Sequence, residues 1–284
     1  MLRVLKKEEF EKYIDFTYAL AMDLSKSVYP TYADGIKTKE EFMERSRKAF
    51  ERENEEILLF EINEEVQGWI HYYVLKEDNY ISFCSFNINN YAELAVDEFL
   101  EYISRKRKGD ILYFGLSTEN ASVMQHLTEL DFIKEDDEYV DVLFFSRYEM
   151  LEENSLIVKV SKDNYSEFEK IHRIHDEDMY WNNERLYNDL ENWNIYLFYE
   201  GAEAVGAIYY CFADNSMMEI FGVDYASGYF NYRVFMQLMI KALNEGKKAG
   251  MKHLVFFHDE KEHEIVMKLG FRHVSKYILY TREV

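Results

Sequence analysis

Residues 194–212 read NIYLFYEGAEAVGAIYYCF, which is two runs of β-branched and aromatic residues around a polar turn. Such runs, separated by a short turn that contains glycine, predict two paired strands. A third run, Met217 to Val223, leads into a loop that contains Gly228. The period then changes, because apolar residues recur at helical spacing from Val234 to Leu243. This stretch therefore predicts three strands, a loop and a helix, in that order.

A further strand and a short helix complete the pattern. Two basic residues, Lys247 and Lys248, precede Gly250, which is typical of the end of a helix. The run from His253 to Phe257 predicts a strand, and a short helix then leads to LGF at 269–271. The full order is three strands, a loop, a helix, a strand and a helix.

The same pattern occurs twice in the chain. EILLFEINEEVQGWIHYY at 56–73 matches NIYLFYEGAEAVGAIYYC at 194–211, a shift of 138 residues. LTELDF at 127–132 matches VMKLGF at 266–271, a shift of 139 residues. Two matches with nearly equal shifts indicate an internal repeat. The 284 residues also exceed the length of about 250 at which single cores usually stop growing, so we expect two domains.

The order of elements resembles the GNAT superfamily of acyl-CoA-dependent N-acetyltransferases. The residues that carry the resemblance are AVGAIYY at 204–210, EIFGVDY at 219–225, FMQLMIKALNEGKKAGMKHLVFF at 235–257 and IVMKLGF at 265–271. The resemblance implies an α/β fold of the α+β type, with a mixed sheet. The repeat implies two tandem GNAT domains. We place them at residues 1–150 and 153–284, because the polar segment MLEENS at 150–155 separates the two patterns.

Composition and charge narrow the classes of partner. The net charge of −21 would repel a phosphate backbone, so we expect no nucleic-acid partner. The same charge would attract an amine, either a small molecule or a peptide, although acidity can also serve solubility alone. Hydrophobic residues make up 48% of the chain and proline occurs once, which disfavours disorder.

The N-terminus and the cysteines indicate the compartment. The chain opens with MLRVLKKEEFEKY, and it contains no run of 18 apolar residues, so we expect neither a signal peptide nor a membrane partner. Cys84 and Cys211 lie in predicted strands of different halves, which makes a disulfide scaffold unexpected. We therefore expect a cytoplasmic protein, either a monomer with an internal pseudo-dimer or a homodimer.

The loop after the third strand differs from the family pattern in the first half. In that pattern a glycine-rich loop and the next helix N-terminus bind the cofactor pyrophosphate. Here the loop at 87–91 reads NINNY and has no glycine, and the helix begins with Glu93. An acidic group at this position repels phosphate. We expect the N-terminal domain to be non-catalytic and not to bind an acyl-CoA in the usual way.

The corresponding loop of the second half keeps part of the pattern. The resemblance implies acetyl-CoA as co-substrate, bound between the strands that end at Val223 and His258. Arg233 and Phe235 stand where the family has two glycines, and another register places Asn231 at one of them. Bulky side chains would hinder close approach of a pyrophosphate, whereas Arg233 could contact it directly. The cofactor-binding residues that the resemblance implies are Val223, Tyr225, Gly228, Asn231, Tyr232, Arg233 and Asp259.

Two residues of the second half are candidates for the general base. Glu219 lies on the third strand, where many family members carry a glutamate that removes a proton from the attacking amine. Strand alternation predicts that Glu219 shares a face with Phe221 and Val223. His258, at the end of the next strand, could serve instead. The family tyrosine that protonates the departing thiolate aligns with Val266, so Tyr280 or another tyrosine would have to replace it.

The implied activity is transfer of an acetyl group from acetyl-CoA to a primary amine by the C-terminal domain. A ligand-binding protein that has lost catalysis is the alternative, because the loop is altered and the family tyrosine is missing. An aminoacyl-tRNA-dependent peptidyltransferase also pairs two GNAT folds, but the net charge of −21 disfavours it. No metal is expected, since His172, His175 and Asp176 have no further Cys/His cluster at matching spacing.

Overall fold

The computed structural model describes residues 1–173, 180–213 and 216–284. The chain divides into two compact units, of which unit 1 is Met1–Glu138 with Val274–Val284 and unit 2 is Tyr139–His273. Each unit combines helices with a mixed sheet, which confirms the predicted fold class. His175 and Asp176, considered above as part of a metal site, lie outside the described residues.

The secondary structure follows the predicted runs closely. The strands are β1 (Leu2–Val4), β2 (Glu55–Ile62), β3 (Glu65–Leu75), β4 (Tyr80–Ile88), β5 (Ile111–Ser117), β6 (Ile133–Phe144), β7 (Ile157–Lys159), β8 (Trp193–Glu200), β9 (Glu203–Phe212), β10 (Met217–Tyr225), β11 (His253–His258) and β12 (Arg272–Glu283). The helices are α1 (Phe10–Ala21), α2 (Lys39–Arg47), α3 (Ala92–Lys106), α4 (Ala121–Glu129), α5 (Tyr165–His172), α6 (Asn183–Asn188), α7 (Tyr232–Lys248) and α8 (Glu260–Lys268).

The two units have the same sheet topology. In unit 1 the strand order is β1-β2-β3-β4-β5-β12, and in unit 2 it is β7-β8-β9-β10-β11-β6. Neighbouring strands are antiparallel except for β4 with β5 and β10 with β11, which are parallel. This equality of order and direction supports the internal repeat that the sequence predicts.

The last strand of each sheet comes from the other sequence repeat. In unit 1, β12 pairs with β5 from Tyr277–Ser117 to Glu283–Ile111. In unit 2, residues 139–144 of β6 pair with β11. The compact units therefore differ from the domains predicted at 1–150 and 153–284, which follow the repeat along the chain. β6 and β12 are the equivalent last strands of the two repeats. Each can therefore pair, in the antiparallel direction, with the open edge of either sheet.

Each sheet is covered by amphipathic helices that bury apolar side chains. In unit 1 the aromatic rings of Phe83, Phe99 and Phe114 pack together between α3 and the sheet. In unit 2 the helix α7 buries Val234, Phe235, Leu238, Met239 and Leu243 against β8 to β11. Among the described residues, no helix combines the length and the apolar character that crossing a bilayer requires.

Candidate functional site

The strands β10 and β11 of unit 2 separate along their length. They pair in parallel only from Met217–His253 to Ile220–Phe256, although β10 continues to Tyr225 and β11 to His258. The register of β10 against β9 also shifts between Ile220 and Gly222, which makes Phe221 a bulge residue. A bulge bends its strand and increases the local twist. We call the gap in strand pairing beyond Ile220 of β10 and Phe256 of β11 the slot. It lies at the place where the sequence pattern predicted the cofactor.

The bulge also changes which side chains share a face. Phe221 packs with Trp193 on the α5 side of the sheet, whereas Val223 and Tyr225 pack with the core on the α7 side. The prediction that Glu219, Phe221 and Val223 share one face is therefore wrong at Val223. One extra residue in a strand moves every later side chain to the opposite face.

On the α5 side of the slot, one carboxylate shares a face of the sheet with an aromatic cluster. Glu219 is half-buried and lies across the strand pair from Cys211, which in turn lies opposite Trp193. The Trp193 ring is 4.9 Å from the Phe221 ring and 4.9 Å from that of Trp181. A half-buried carboxylate attracts organic cations. This arrangement suits an alkylammonium group.

The thiol of Cys211 reports on this environment. Burial, followed by the carboxylates of Glu219 and Asp189, raises the pKa of Cys211 to about 11 from its ordinary 9.0. At pH 8 a thiol with that pKa has roughly 100-fold less thiolate than an ordinary cysteine. Burial is thus the larger cause of the shift, and the two carboxylates add to it.

Alkylation of Cys211 by iodoacetamide at pH 8 is expected to be roughly 100-fold slower in the folded protein than in urea. Site-resolved mass spectrometry measures the rate, and Glu219→Gln should accelerate it because one carboxylate is removed. Cys84, whose pKa burial raises to about 12, is the internal control that Glu219→Gln should leave unchanged. Equal rates for folded and unfolded Cys211 would contradict this description.

A buried histidine–aspartate pair joins α5 to β10 and was not predicted. His172 Nδ1 lies 2.7 Å from Asp224 Oδ2, and His172 Nε2 lies 3.0 Å from the Trp181 carbonyl oxygen. The Trp181 carbonyl oxygen can only accept, so Nε2 donates to it, and Nδ1 shares a hydrogen with the Asp224 carboxyl group. The two residues are 52 positions apart, and no sequence spacing indicates the pair. It holds the bulged part of β10 against α5.

The loop after β10 leads directly into the N-terminus of α7. Gly228 has φ +70° and its N–H donates to the Tyr225 carbonyl oxygen at 2.9 Å, which closes a tight turn. The Asn231 side chain then accepts from the N–H groups of Arg233 and Val234, at 3.1 and 3.2 Å. These are the N–H groups that a helix N-terminus offers to a phosphate. Asn231 therefore serves as the cap in place of the glycines of the family pattern.

Two other predicted cofactor residues are accessible at this loop. Arg233 is exposed, and its guanidinium pairs with Glu200 at 3.3 Å. Tyr232 is 54% exposed at the first position of α7. A surface ion pair contributes little to stability, so the Arg233 guanidinium can exchange Glu200 for a phosphate at small cost. Asp259 is exposed and occupies the N-cap position of α8 at the end of β11.

The hydroxyl of Tyr225 is a buried polar group in the same region. It is buried and has no hydrogen-bond partner among the described residues. Burial, followed by the carboxylates of Glu262, Asp224 and Asp259, raises the pKa of Tyr225. The hydroxyl therefore stays protonated and keeps a hydrogen to donate, and an unsatisfied buried donor favours binding of an acceptor.

His258, the alternative candidate for the base, has acceptors at both ring nitrogens. Nε2 lies 2.8 Å from Asp141 Oδ2, and Nδ1 lies 2.9 Å from the Asp259 carbonyl oxygen. Both ring nitrogens are thus engaged within the protein, and neither is open to an incoming amine. The role of His258 as base stays a prediction, and this geometry does not favour it.

The equivalent slot of unit 1 is filled by the chain itself. There β4 and β5 pair only at Tyr80–Ile111 and Ile81–Leu112, and the register shift of β4 against β3 falls at Cys84. The segment 26–29 lies between the separated strands. It accepts from Ile88 N through the Lys26 carbonyl at 2.9 Å and donates from Tyr29 N to the Gly115 carbonyl at 3.0 Å.

Further contacts fix this segment in place. Val28 forms a bridge with Leu116 and is 2% exposed within the core of unit 1. The Asn120 amide donates to the Ser27 carbonyl oxygen at 3.1 Å, and the Lys26 ammonium binds the Asn89 carbonyl oxygen in the glycine-free loop. The backbone groups that the separated strands would offer to a pantetheine arm are thus bonded within the protein.

Comparison with known proteins supports the fold. No protein-family model and no curated protein sequence matches the chain. Among solved structures, a GCN5-related N-acetyltransferase from Sphaerobacter thermophilus is similar with a TM-score of 0.62 and 10% identity, over 100% of this chain and 95% of that one. A tandem GNAT protein from the clavulanic acid biosynthesis pathway is similar with a TM-score of 0.57 and 9% identity, over 100% and 98%. The chain therefore has the GNAT fold, present twice in tandem.

Proposed function

We propose that unit 2 is an acyl-CoA-dependent N-acyltransferase that transfers an acetyl group from acetyl-CoA to a primary amine. The observation that carries the proposal is the slot between β10 and β11, which opens at the Phe221 bulge next to the carboxylate of Glu219. A backbone suited to an extended cofactor arm, beside a group suited to deprotonate an amine, supports this activity.

The cofactor would lie in the slot with its pyrophosphate at the loop before α7. Backbone groups of β10 beyond Ile220 no longer pair with β11 and are free to bind the amides of the pantetheine arm. The pyrophosphate would meet the positive end of the α7 dipole and the Arg233 guanidinium. Because Asn231 caps this helix, a phosphate must displace its side chain or bind beside it.

The acceptor would approach from the α5 side. The carboxylate of Glu219 binds the ammonium form of the amine and accepts one of its protons, directly or through water. The neutral amine then attacks the thioester carbonyl carbon, forming the C–N bond of the amide as the C–S bond breaks. The electron pair of that bond leaves with the sulfur as a thiolate, and the nitrogen loses its second proton, through water, to that sulfur.

The departing thiolate requires a hydrogen-bond or proton donor. The family position aligns with Val266, which has none. Tyr225 carries a buried hydroxyl with no partner among the described residues, on the strand that lines the slot. We assign it as the donor to the thiolate, in place of the helix tyrosine of the family. Unit 1 is non-catalytic in this proposal, because its own segment 26–29 lies in the corresponding slot.

The experiment is release of free thiol from acetyl-CoA across a panel of primary amines and polyamines. The proposal predicts thiol release that requires an amine and equals the amount of acetylated amine found by mass spectrometry. The second candidate, a ligand-binding protein without catalysis, is favoured by the Asn231 cap at the pyrophosphate loop. It predicts binding of acetyl-CoA or of an amine without turnover.

A further inference from the structure

Three histidines converge on one buried carboxylate in unit 2. Asp141 on β6 is fully buried, with His258 Nε2 and His263 Nδ1 each 2.8 Å from its Oδ2. His273 Nδ1 lies 2.8 Å from its Oδ1. The four residues belong to β6, β11, α8 and the start of β12. The proposed acyl transfer does not use Asp141, His263 or His273.

A comparable group in unit 1 shows what distinguishes this cluster. Glu55, His71 and Cys84 also bring three possible ligand atoms together. There, however, Arg45 and Arg52 bind the Glu55 carboxylate at 2.6 and 2.7 Å, so the negative charge is already neutralised by guanidinium groups. In the part of the chain that the structure describes, the ion pairs of Asp141 are with histidines alone.

We propose that Asp141, His263 and His273 bind a divalent transition-metal ion of the Zn²⁺ class, with His258 as the fourth ligand. Imidazole nitrogens with one carboxylate are donors that suit this ion. The donor atoms of Asp141, His263 and His273 all lie within 4.8 Å of one another. Zinc bonds of about 2.0–2.2 Å in a tetrahedron place neighbouring donors roughly 3.4 Å apart. The 2.8 Å contacts around Asp141 therefore need to open by only about half an ångström.

The surroundings of the cluster fit a metal site. His258 Nδ1 donates to the Asp259 carbonyl oxygen at 2.9 Å, which fixes the ring and directs Nε2 toward the cluster. The Tyr139 ring stacks on His263 with centroids 4.2 Å apart and shields one side. The side chains of His263 and His273 are 24% and 40% exposed, so an ion can enter from solvent.

With His258 as the fourth ligand, the ion would have no open position, which would make this a structural site. The ion would join β6 and β11 to α8 and to the start of β12, which are separate segments of unit 2. Binding to the folded state alone would raise its stability by mass action. The proposal is independent of acyl transfer, because a metal can stabilise unit 2 whether or not unit 2 is an enzyme.

The test uses the untagged full-length protein, stripped with EDTA and dialysed. Zn²⁺ is titrated in competition with a chromogenic chelator, Co²⁺ is followed by its visible absorption, and thermal unfolding is recorded with and without Zn²⁺. We expect one ion per chain, Co²⁺ bands typical of tetrahedral coordination, and a Tm several degrees higher with Zn²⁺. His126→Ala is the matched control, since His126 pairs with Asp97 outside the cluster, and it should bind like the wild type.

His273→Ala decides the outcome. This side chain is partly exposed, so its removal should leave the fold intact by circular dichroism while weakening Zn²⁺ binding at least 10-fold. Asp141→Asn should abolish binding. The proposal is overturned if the wild type binds no Zn²⁺ at micromolar concentration, or if folded His273→Ala binds as tightly as the wild type.

Discussion

Replacing Glu219 with glutamine is expected to lower the acetylation rate by roughly 10²–10⁴-fold, with acetyl-CoA affinity little changed. Glutamine keeps the shape of the side chain but cannot accept the proton of the ammonium. Glu219 is half-buried on the α5 side of β10, opposite Cys211 and near the Phe221 bulge, and the loop before α7 is separate from it. Steady-state kinetics with calorimetric titration of acetyl-CoA separates the two effects.

The matched control is Glu203→Gln, which removes an exposed carboxylate from the start of β9 in the same unit. It should leave the rate unchanged. The pH profile adds a second readout, because loss of the base should make the residual rate rise with pH as more of the amine becomes neutral in solution. An unchanged rate in Glu219→Gln, with loss of activity in a folded His258→Ala variant, would assign the base to His258.

Replacing Tyr225 with phenylalanine is expected to lower kcat by roughly 10²-fold, because it removes a donor that stabilises the departing thiolate. The hydroxyl is buried and has no partner among the described residues, so its removal breaks no hydrogen bond described in the structure. The folded state should therefore be as stable as the wild type in a thermal melt. A loss of kcat without a loss of stability identifies a role in the reaction.

The leaving group distinguishes this role from a positional one. A thioester with a more acidic thiol needs less help on departure, so the difference between Tyr225→Phe and the wild type should shrink for that substrate. Tyr113→Phe in unit 1 is the control for removal of a tyrosine hydroxyl elsewhere. If Tyr225→Phe keeps the wild-type kcat with acetyl-CoA, another group protonates the thiolate.

The sequence repeat predicted the tandem fold because local patterns repeat along the chain. The predicted runs at 195–199, 205–212, 217–223 and 253–257 lie within β8, β9, β10 and β11. The prediction did not include the origin of the final strands. β12 completes the sheet of β5, and residues 139–144 of β6 complete the sheet of β11. Periodicity identifies a strand and its buried face, but it carries no information about which edge the strand joins.

Part of the candidate site could likewise be predicted from the sequence, and part could not. The slot position and the loop before α7 follow from the order of elements, whereas the bulge at Phe221 does not follow from alternation. One extra residue moved Val223 and Tyr225 to the α7 side and Asp224 toward His172. Tyr225 was predicted as a cofactor contact, and only its unsatisfied hydroxyl indicates a chemical role.

Long-range clusters could not be predicted from spacing. Asp141 and His273 are 132 positions apart, so no short motif joins them, and the sequence favoured no metal. The segment 26–29 has no recognisable motif, and only its hydrogen bonds to β4 and β5 show that it fills the slot of unit 1. We expected unit 1 not to bind acyl-CoA because its loop lacks glycine. The segment 26–29 in its slot is a second physical reason.

Hydrogen–deuterium exchange with and without acetyl-CoA is the most direct test of the central claim, that unit 2 holds the acyl-CoA and unit 1 does not. We expect slower exchange in residues 221–235, where the slot and the loop before α7 bind the cofactor. We expect no change in residues 26–29 and 87–91, where the chain already occupies the equivalent slot. Protection of the segments of unit 1, or no protection in residues 221–235 at saturating acetyl-CoA, would contradict it.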